Sequence, residues 1–247
     1  MATGRLHTTS ARCYTAGMFK AIVFDFDGVI VDSEPLHFAA FLETFQPFGV
    51  SFDYAEYLER FVGYDDRDVA RIALAELAGR GEEADNPDRL AELCRQKQEA
   101  FERIVAEGAK PIPGALELIA EAARTRPLAV ASGATRRDIE LILSQLGLED
   151  RFAPIITADD VSRSKPDPET YRLAVEGLAA RHPAEGIEPA STLAIEDTST
   201  GLAAARAAGL QTLGVATTEP RSSLHLAHRA VESLTEVDMT TLEKWFA

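Results

Sequence analysis

Residues 20–34 read KAIVFDFDGVIVDSE, and the reading of this stretch decides the fold. Ala21, Ile22, Val23 and Phe24 form a short apolar run, the pattern of a buried β-strand. Asp25 and Asp27 follow at its downstream end, and Gly28 comes next. Positions i and i+2 of an extended chain point to one side, so the two carboxylates face the same way. Carboxylates so placed repel, and burying them unpaired is costly. A bound cation or a shared proton resolves that cost. For DxDG in isolation the plainer alternative is a solvated turn, because Asp and Gly are common turn formers.

Downstream, Pro35 suits the first position of a helix. Apolar residues then recur at helical spacing from Leu36 to Phe45, and further helical patterns cover about 54–61, 66–77 and 87–107. No strand pattern interrupts them, so residues 33–108 read as a helical insertion. KPIPG at 110–114 marks its end. Beyond it, helix and strand signals alternate. A helix is expected over 115–124, a strand over PLAVA (127–131), and a helix from the Thr135/Asp138 capping pair to about 146. APIIT (153–157) is the next strand, and Asp167-Pro168 opens a helix with Asp as cap. STLAI (191–195) is a strand, 200–208 a helix of small residues, and 211–215 a further strand. This alternation predicts an α/β fold: a doubly wound parallel-sheet, Rossmann-like core carrying an inserted helical cap. The domains are then 18–32 with 109–247 as core and 33–108 as cap. Such sheets bind ligands at the carboxyl ends of their strands, which gathers Asp25, Ser132, Lys165 and Asp197.

The motif set resembles the haloacid dehalogenase-like hydrolase superfamily, in the branch of β-phosphoglucomutase-like sugar phosphatases. The resemblance covers nearly all of the chain from Met18. DFDG carries its first motif, ASGAT (131–135) the second, SRSKPDPE (162–169) the third, and IEDTSTGLAAARAAG (195–209) the fourth. It implies that Asp25 is the nucleophile, forming an aspartyl-phosphate, and that Asp27 is the general acid and base. It implies that Ser132, with Gly133, holds phosphate oxygens and that Lys165 neutralises the phosphoryl group. Taken alone, these are a capped turn and a solvated lysine. Hard oxygen ligands near phosphate suit Mg²⁺. The resemblance implies that Asp25, the carbonyl of Asp27 and Asp197 bind it, with Glu196 a direct ligand or one step removed. In the cap, His37 and Arg67 are candidate substrate contacts. An ordinary structural histidine, and a surface partner for Asp65 or Asp68, are the alternatives.

The expected activity is Mg²⁺-dependent hydrolysis of a small phosphorylated metabolite, a sugar phosphate or related phosphomonoester. A β-phosphoglucomutase-like phosphotransferase is the first alternative. It fits Ser33 and His37. Mutases of that kind carry an arginine soon after the cap glycine and a Ser-x-Asn after the second-motif serine; here Arg67 comes one place late, and Ala134 and Arg136 stand in the other two places. A dehalogenase would need neither Asp27 nor Mg²⁺. Phosphonate hydrolysis would want a Schiff-base lysine in the cap, and Lys97, the sole lysine there, sits in QKQ as on an exposed helix. A non-catalytic phosphometabolite-binding protein is the further alternative; such a protein usually loses an acid or the lysine, and none is missing here.

Composition narrows the field further. The 247 residues carry 46% hydrophobic residues, enough for a real core. A net charge of -15 argues against nucleic acid as partner, so an anionic substrate needs a local site of cations. Cys13 and Cys94 suggest neither disulfide framework nor zinc site. No apolar run reaches the roughly 18 residues of a membrane span, and no coiled coil is evident, so a monomer is expected. Residues 1–17 hold Arg5 and Arg12 and no acid. A disordered extension, a transit peptide and a start at Met18 all fit them. The expected location is cytoplasmic, with organellar targeting open.

Overall fold

The computed structural model describes residues 19–61 and 64–247. The expectation for residues 1–17 lies outside that range. The described residues group into two compact units. One runs up to Ile30 and takes in Pro111–Ile139 and Leu148–Ala247; the other is Val31–Lys110 with Glu140–Gly147.

The first unit is built on β1 (Ala21–Phe24), β2 (Leu128–Ala131), β3 (Ile155–Ile156), β4 (Thr192–Glu196), β5 (Gln211–Val215) and β6 (Arg229–Val231). They form one sheet in the order β3-β2-β1-β4-β5-β6, and every neighbouring pair is parallel. Strands β1, β2 and β4 are buried throughout, which is why they read as unbroken apolar runs rather than as alternating ones. The chain fills the sheet on one side of β1 with β2 and β3, then crosses to β4 on the other. The reversal at β1 opens a crevice at the carboxyl ends of the central strands.

Helices flank the sheet, as doubly wound topology requires. Of the described elements, α1 (Glu34–Phe45), α2 (Tyr54–Arg60), α3 (Asp66–Ile72), α4 (Gly81–Ala84) and α5 (Pro87–Glu107) belong to the second unit. In the first lie α6 (Ala115–Ala122), the start of α7 (Arg136–Gln145), α8 (Glu169–Arg181), α9 (Ser199–Ala207) and α10 (Met239–Trp245). One core of the first unit is mostly small residues: Ala21, Val23, Ala129, Ala131, Ala174, Ala194, Ala204 and Ala205 surround the single large phenol of Tyr171. Small residues let α8 and α9 approach the strands closely. Among the described residues no helix is long and apolar enough to cross a membrane.

The elements differ from the sequence expectation at three places. The sequence reading missed β6 and α10, both short and at the end of the chain. It gave residues 153–157 to a strand, of which only Ile155–Ile156 pair. Helix α8 starts one residue later than expected, and the carboxylate of Asp167 accepts from the Glu169 amide at 3.1 Å. Residues 33–108 lie within the second unit, but that unit also takes the last turns of α7. There the Gln145 side chain accepts from the Ala109 amide at 3.3 Å.

The second unit is all helical and packs aromatic rings where the first packs alanines. Phe41, Phe45, Phe52, Tyr57 and Phe61 are buried together with Val69, Leu74, Leu90 and Leu93. A ring buries far more area than a methyl group, so a small unit gains a core from few residues. Its one buried cation is Lys97, and this corrects the expectation of an exposed lysine. Lys97 is 2% exposed. On α5 it follows Leu90 and Leu93 and precedes Ala100 and Phe101 on the buried face. The flanking glutamines hid that periodicity. Its Nζ donates to both oxygens of Asp66 (2.9 and 3.0 Å), lies 2.9 Å from His37 Nδ1, and sits over the rings of Phe41 and Phe101. His37 stacks on Phe101 at 4.4 Å. Burial and the Lys97 charge lower its pKa to about 3. It is therefore neutral and accepts from Lys97.

Removing one partner of this pair should not equal removing the other. Asp66→Ala strands a buried ammonium and is expected to cost about 3 kcal/mol or more, whereas Lys97→Met frees a half-exposed carboxylate to reach water, leaves only the neutral His37 Nδ1 without its donor, and is expected to cost about 1–2 kcal/mol. Urea denaturation of the two variants measures the difference. Equal losses would contradict this account of Lys97.

Candidate active site

Four strand ends and loops of the first unit meet. Strand β1 delivers Asp25, whose amide still donates to the Ile195 carbonyl at 2.9 Å, so the nucleophile candidate is held by the sheet itself. Strand β4 ends in Glu196, and Asp197 follows; both are buried. The loop between β3 and α8 brings in Lys165. Its Nζ lies 2.7 Å from Asp25 Oδ1 and 2.7 Å from Glu196 Oε1.

Glu196 is completely enclosed. Its Oε1 accepts from Lys165 and from the Tyr171 hydroxyl at 3.0 Å. Its Oε2 accepts from the Asp197 amide (3.0 Å), the Thr198 amide (3.1 Å) and the Thr198 hydroxyl (3.0 Å). Gly201, on the first turn of α9, leaves the room; a Cβ there would collide with the Glu196 carboxylate. A carboxylate offers about four lone-pair sites. Five donors saturate it, so the geometry favours Glu196 as the counter-ion that anchors Lys165 over Glu196 as a direct metal ligand.

Asp197 is the opposite case. Its Oδ1 is buried and finds no hydrogen-bond partner among the described residues. Gly28, at φ +74°, stands against its other oxygen, where any Cβ would clash with the carboxylate and with Thr218. Both the left-handed backbone and the close approach require glycine. Asp25, Glu196 and Asp197 each offer an oxygen within 4.8 Å of the others. Burial and then Glu196 push the Asp25 carboxyl up, against the pull of Lys165. Burial and Glu196 push Asp197 up to about 7, although Thr218 bonds to it. Burial alone would lower Lys165, but Asp25 and Glu196 raise it, so it stays charged. One lysine thus faces three buried acids, with Asp27 half-buried beside them. A divalent cation fits that excess, and the orphaned oxygen of Asp197 is the group it would satisfy.

Ser132 follows β2 and is buried; its Oγ accepts from the Ala134 amide at 2.9 Å and lies 3.5 Å from Asp27 Oδ2. Gly133 is exposed, with open space where a Cβ would be. Arg136, at the place where a mutase of the resembled branch carries asparagine, donates to Asp160 (2.6 Å) and to the Ile155 carbonyl (3.1 Å). His37 and Arg67 belong to the other unit, where His37 is bound to Lys97 and Arg67 is exposed on α3. Residues 62 and 63 lie outside the described range. Asp68, one of the partners considered for Arg67, pairs instead with Arg71. Sequence reasoning missed Tyr171, Thr198 and Thr218. Thr198 carries a usable signal, since a threonine just before a helix is a common N-cap, and it does accept from the Gly201 amide at 3.1 Å.

A family model described as haloacid dehalogenase-like hydrolase matches residues 22–215. The chain belongs to this family. Among curated relatives it is 32% identical over 221 residues to validoxylamine A 7'-phosphate phosphatase of Streptomyces hygroscopicus subsp. limoneus, covering 89% of this chain and 96% of that one. It is 29% identical to fructose-1-phosphate phosphatase YqaB of Escherichia coli, covering 80% and 96%. Among solved structures, CbbY of Rhodobacter sphaeroides in complex with phosphate superposes with a TM-score of 0.74 at 32% identity, covering 91% of this chain and 99% of that one. The two curated relatives are named as phosphatases and are similar over most of the chain, which with the family supports a phosphoric monoester hydrolase.

The raised acids set a pH dependence for the metal-free protein. A carboxyl with a folded pKa near 7 and an ordinary value of 3.8 keeps its proton in the fold while the unfolded chain has lost it. Unfolding between those values releases a proton, so stability falls as pH rises and the loss is complete above about 7. Buried neutral His37 acts in the opposite sense up to about pH 6.5, so the Asp197 contribution is read as a difference between variants. In chelator, the urea midpoint of wild type minus that of Asp197→Asn is expected to fall from pH 5 to pH 8, and a divalent cation should restore the wild-type value. A difference that does not change with pH would contradict this picture of Asp197.

Proposed function

We propose that the chain is a Mg²⁺-dependent phosphatase that hydrolyses a small phosphorylated metabolite, a sugar phosphate or related phosphomonoester, through an aspartyl-phosphate. The observation that carries this is the pairing of Lys165 with Asp25 while a buried oxygen of Asp197 is left without a donor among the described residues. Asp25, the carbonyl of Asp27 and Asp197 would hold Mg²⁺, which supplies positive charge to the phosphoryl oxygens when bound. Lys165 favours the ionised form of Asp25 against burial and Glu196, a bound cation would add to that pull, and the ammonium offers charge to the transferring group. A free oxygen of Asp25 attacks phosphorus, and Asp27 gives a proton to the leaving oxygen. Ser132 and the neighbouring amides bind the phosphoryl oxygens. Asp27, now a base, takes a proton from the water that attacks phosphorus, and Asp25 is released. The charge in each transition state is spread over oxygens, so positioned cations and N–H donors supply most of the acceleration.

A mutase must hold a second phosphate. The guanidinium of Arg136 is already committed to Asp160, and Asp66 already neutralises Lys97. Neither observation favours a second anion site, and hydrolysis is the better-supported outcome.

Phosphate release from a panel of sugar phosphates, phosphoglycolate and nucleotides tests the proposal. Activity is expected with Mg²⁺ and not in chelator, and Asp25→Asn is expected to lower it ~10³-fold or more. Conversion between phosphate positions on one sugar without net release would favour the mutase instead. No reaction with any member would overturn the enzyme reading.

A further inference from the structure

Tyr171 is fully buried on α8 in a core made mostly of alanines, with Leu178, Ile187 and Leu210. Phenylalanine would fill the same space, so packing does not explain the hydroxyl. A buried hydroxyl is unfavourable unless it is bonded. Burial and Glu196 hold the phenol far above its ordinary pKa, so it keeps its proton and is the donor to Glu196 Oε1 at 3.0 Å. That same oxygen accepts from Lys165 at 2.7 Å, and the Tyr171 ring lies 5.0 Å from the Lys165 nitrogen. The phenol therefore touches both halves of the ion pair.

The consequence is positional. Lys165 Nζ is equidistant, at 2.7 Å, from Asp25 and from Glu196. A second donor on Oε1 weakens that oxygen's pull on the ammonium. The ring limits how far the nitrogen can move toward α8, and its face attracts the cation. We infer that Tyr171 is a positioning residue for Lys165: it shares Glu196 Oε1 so that the ammonium stays midway, within reach of Asp25 and of a phosphoryl group upon it. This rests on the phosphatase reading for its kinetic arm only. Without the hydroxyl, Oε1 has one donor, and the lysine settles onto Glu196 and away from the nucleophile.

The test is Tyr171→Phe in the full chain, with wild type and Lys165→Met alongside. Lysine labelled with ¹⁵N gives ammonium signals in NMR, and the chain has only five lysines. The Lys165 signal is the one absent from Lys165→Met. In Tyr171→Phe this signal is expected to shift or broaden while the others hold. With the substrate that wild type hydrolyses best, kcat is expected to fall about tenfold, with KM within about twofold and a thermal midpoint within a few degrees. Tyr171→Leu, which removes ring and hydroxyl together, is expected to displace the same signal further. An unmoved Lys165 signal in both variants, or an unchanged kcat in Tyr171→Phe, would make the phenol a packing residue and overturn the inference. A displaced signal in a protein whose wild type hydrolyses nothing would leave the positioning standing and remove the phosphatase reading.

Discussion

Three buried carboxylates and one ammonium share the carboxyl ends of β1 and β4, and most of the first unit can be derived from that imbalance. Breaking a buried ion pair costs several kcal/mol, because the surviving charge is left without a partner or water. The chain answers by assigning the acids unequal surroundings. Glu196 receives five donors and becomes a fixed anion. Asp25 shares the lysine with it. Asp197 is left with an unsatisfied oxygen. Two glycines are dictated by this arrangement: Gly201 makes room for one carboxylate and Gly28 for another. The site thus carries an excess of negative charge, which a divalent cation would relieve.

The sheet makes the arrangement possible. Parallel strands with both faces covered are cheap to build from Ala, Val, Ile and Leu, but they end abruptly where the polar residues begin. Asp25 and Glu196 sit at neighbouring strand ends because β1 and β4 pair in register, Phe24 beside Ile195. The alanine-rich core on one face brings α8 close enough for Tyr171 to reach Glu196. The second unit shows a different economy. Its aromatic core encloses a lysine, which is tolerable because Asp66, a neutral histidine and two ring faces surround the ammonium.

Much of this was legible in the sequence. The apolar runs before Asp25, Ser132 and Glu196 located the central strands, and strand-helix alternation carried the topology. The residues it singled out at those strand ends do meet. What escaped was decided by side-chain direction. Lys97 occupies a buried helical position, yet its polar neighbours disguised the period. Tyr171 reads as one more apolar residue of α8, since nothing local marks its hydroxyl as a donor to a residue 25 positions away. Glu196 and Asp197 are adjacent in sequence and chemically alike, but alternate directions at a strand end send one into the donors and the other to an open oxygen. The edge elements β6 and α10 are short, and their pairing is set by the sheet they join rather than by their own pattern.

The account turns on Asp25 becoming covalently bonded to phosphorus. A single turnover with substrate carrying ³²P in the transferred phosphate, stopped in acid within milliseconds, tests this directly. The account predicts transient labelled protein that decays as phosphate appears, and borohydride reduction should mark Asp25 as the modified residue by mass spectrometry. Turnover with no labelled protein at any time, or with label on another residue, would contradict it.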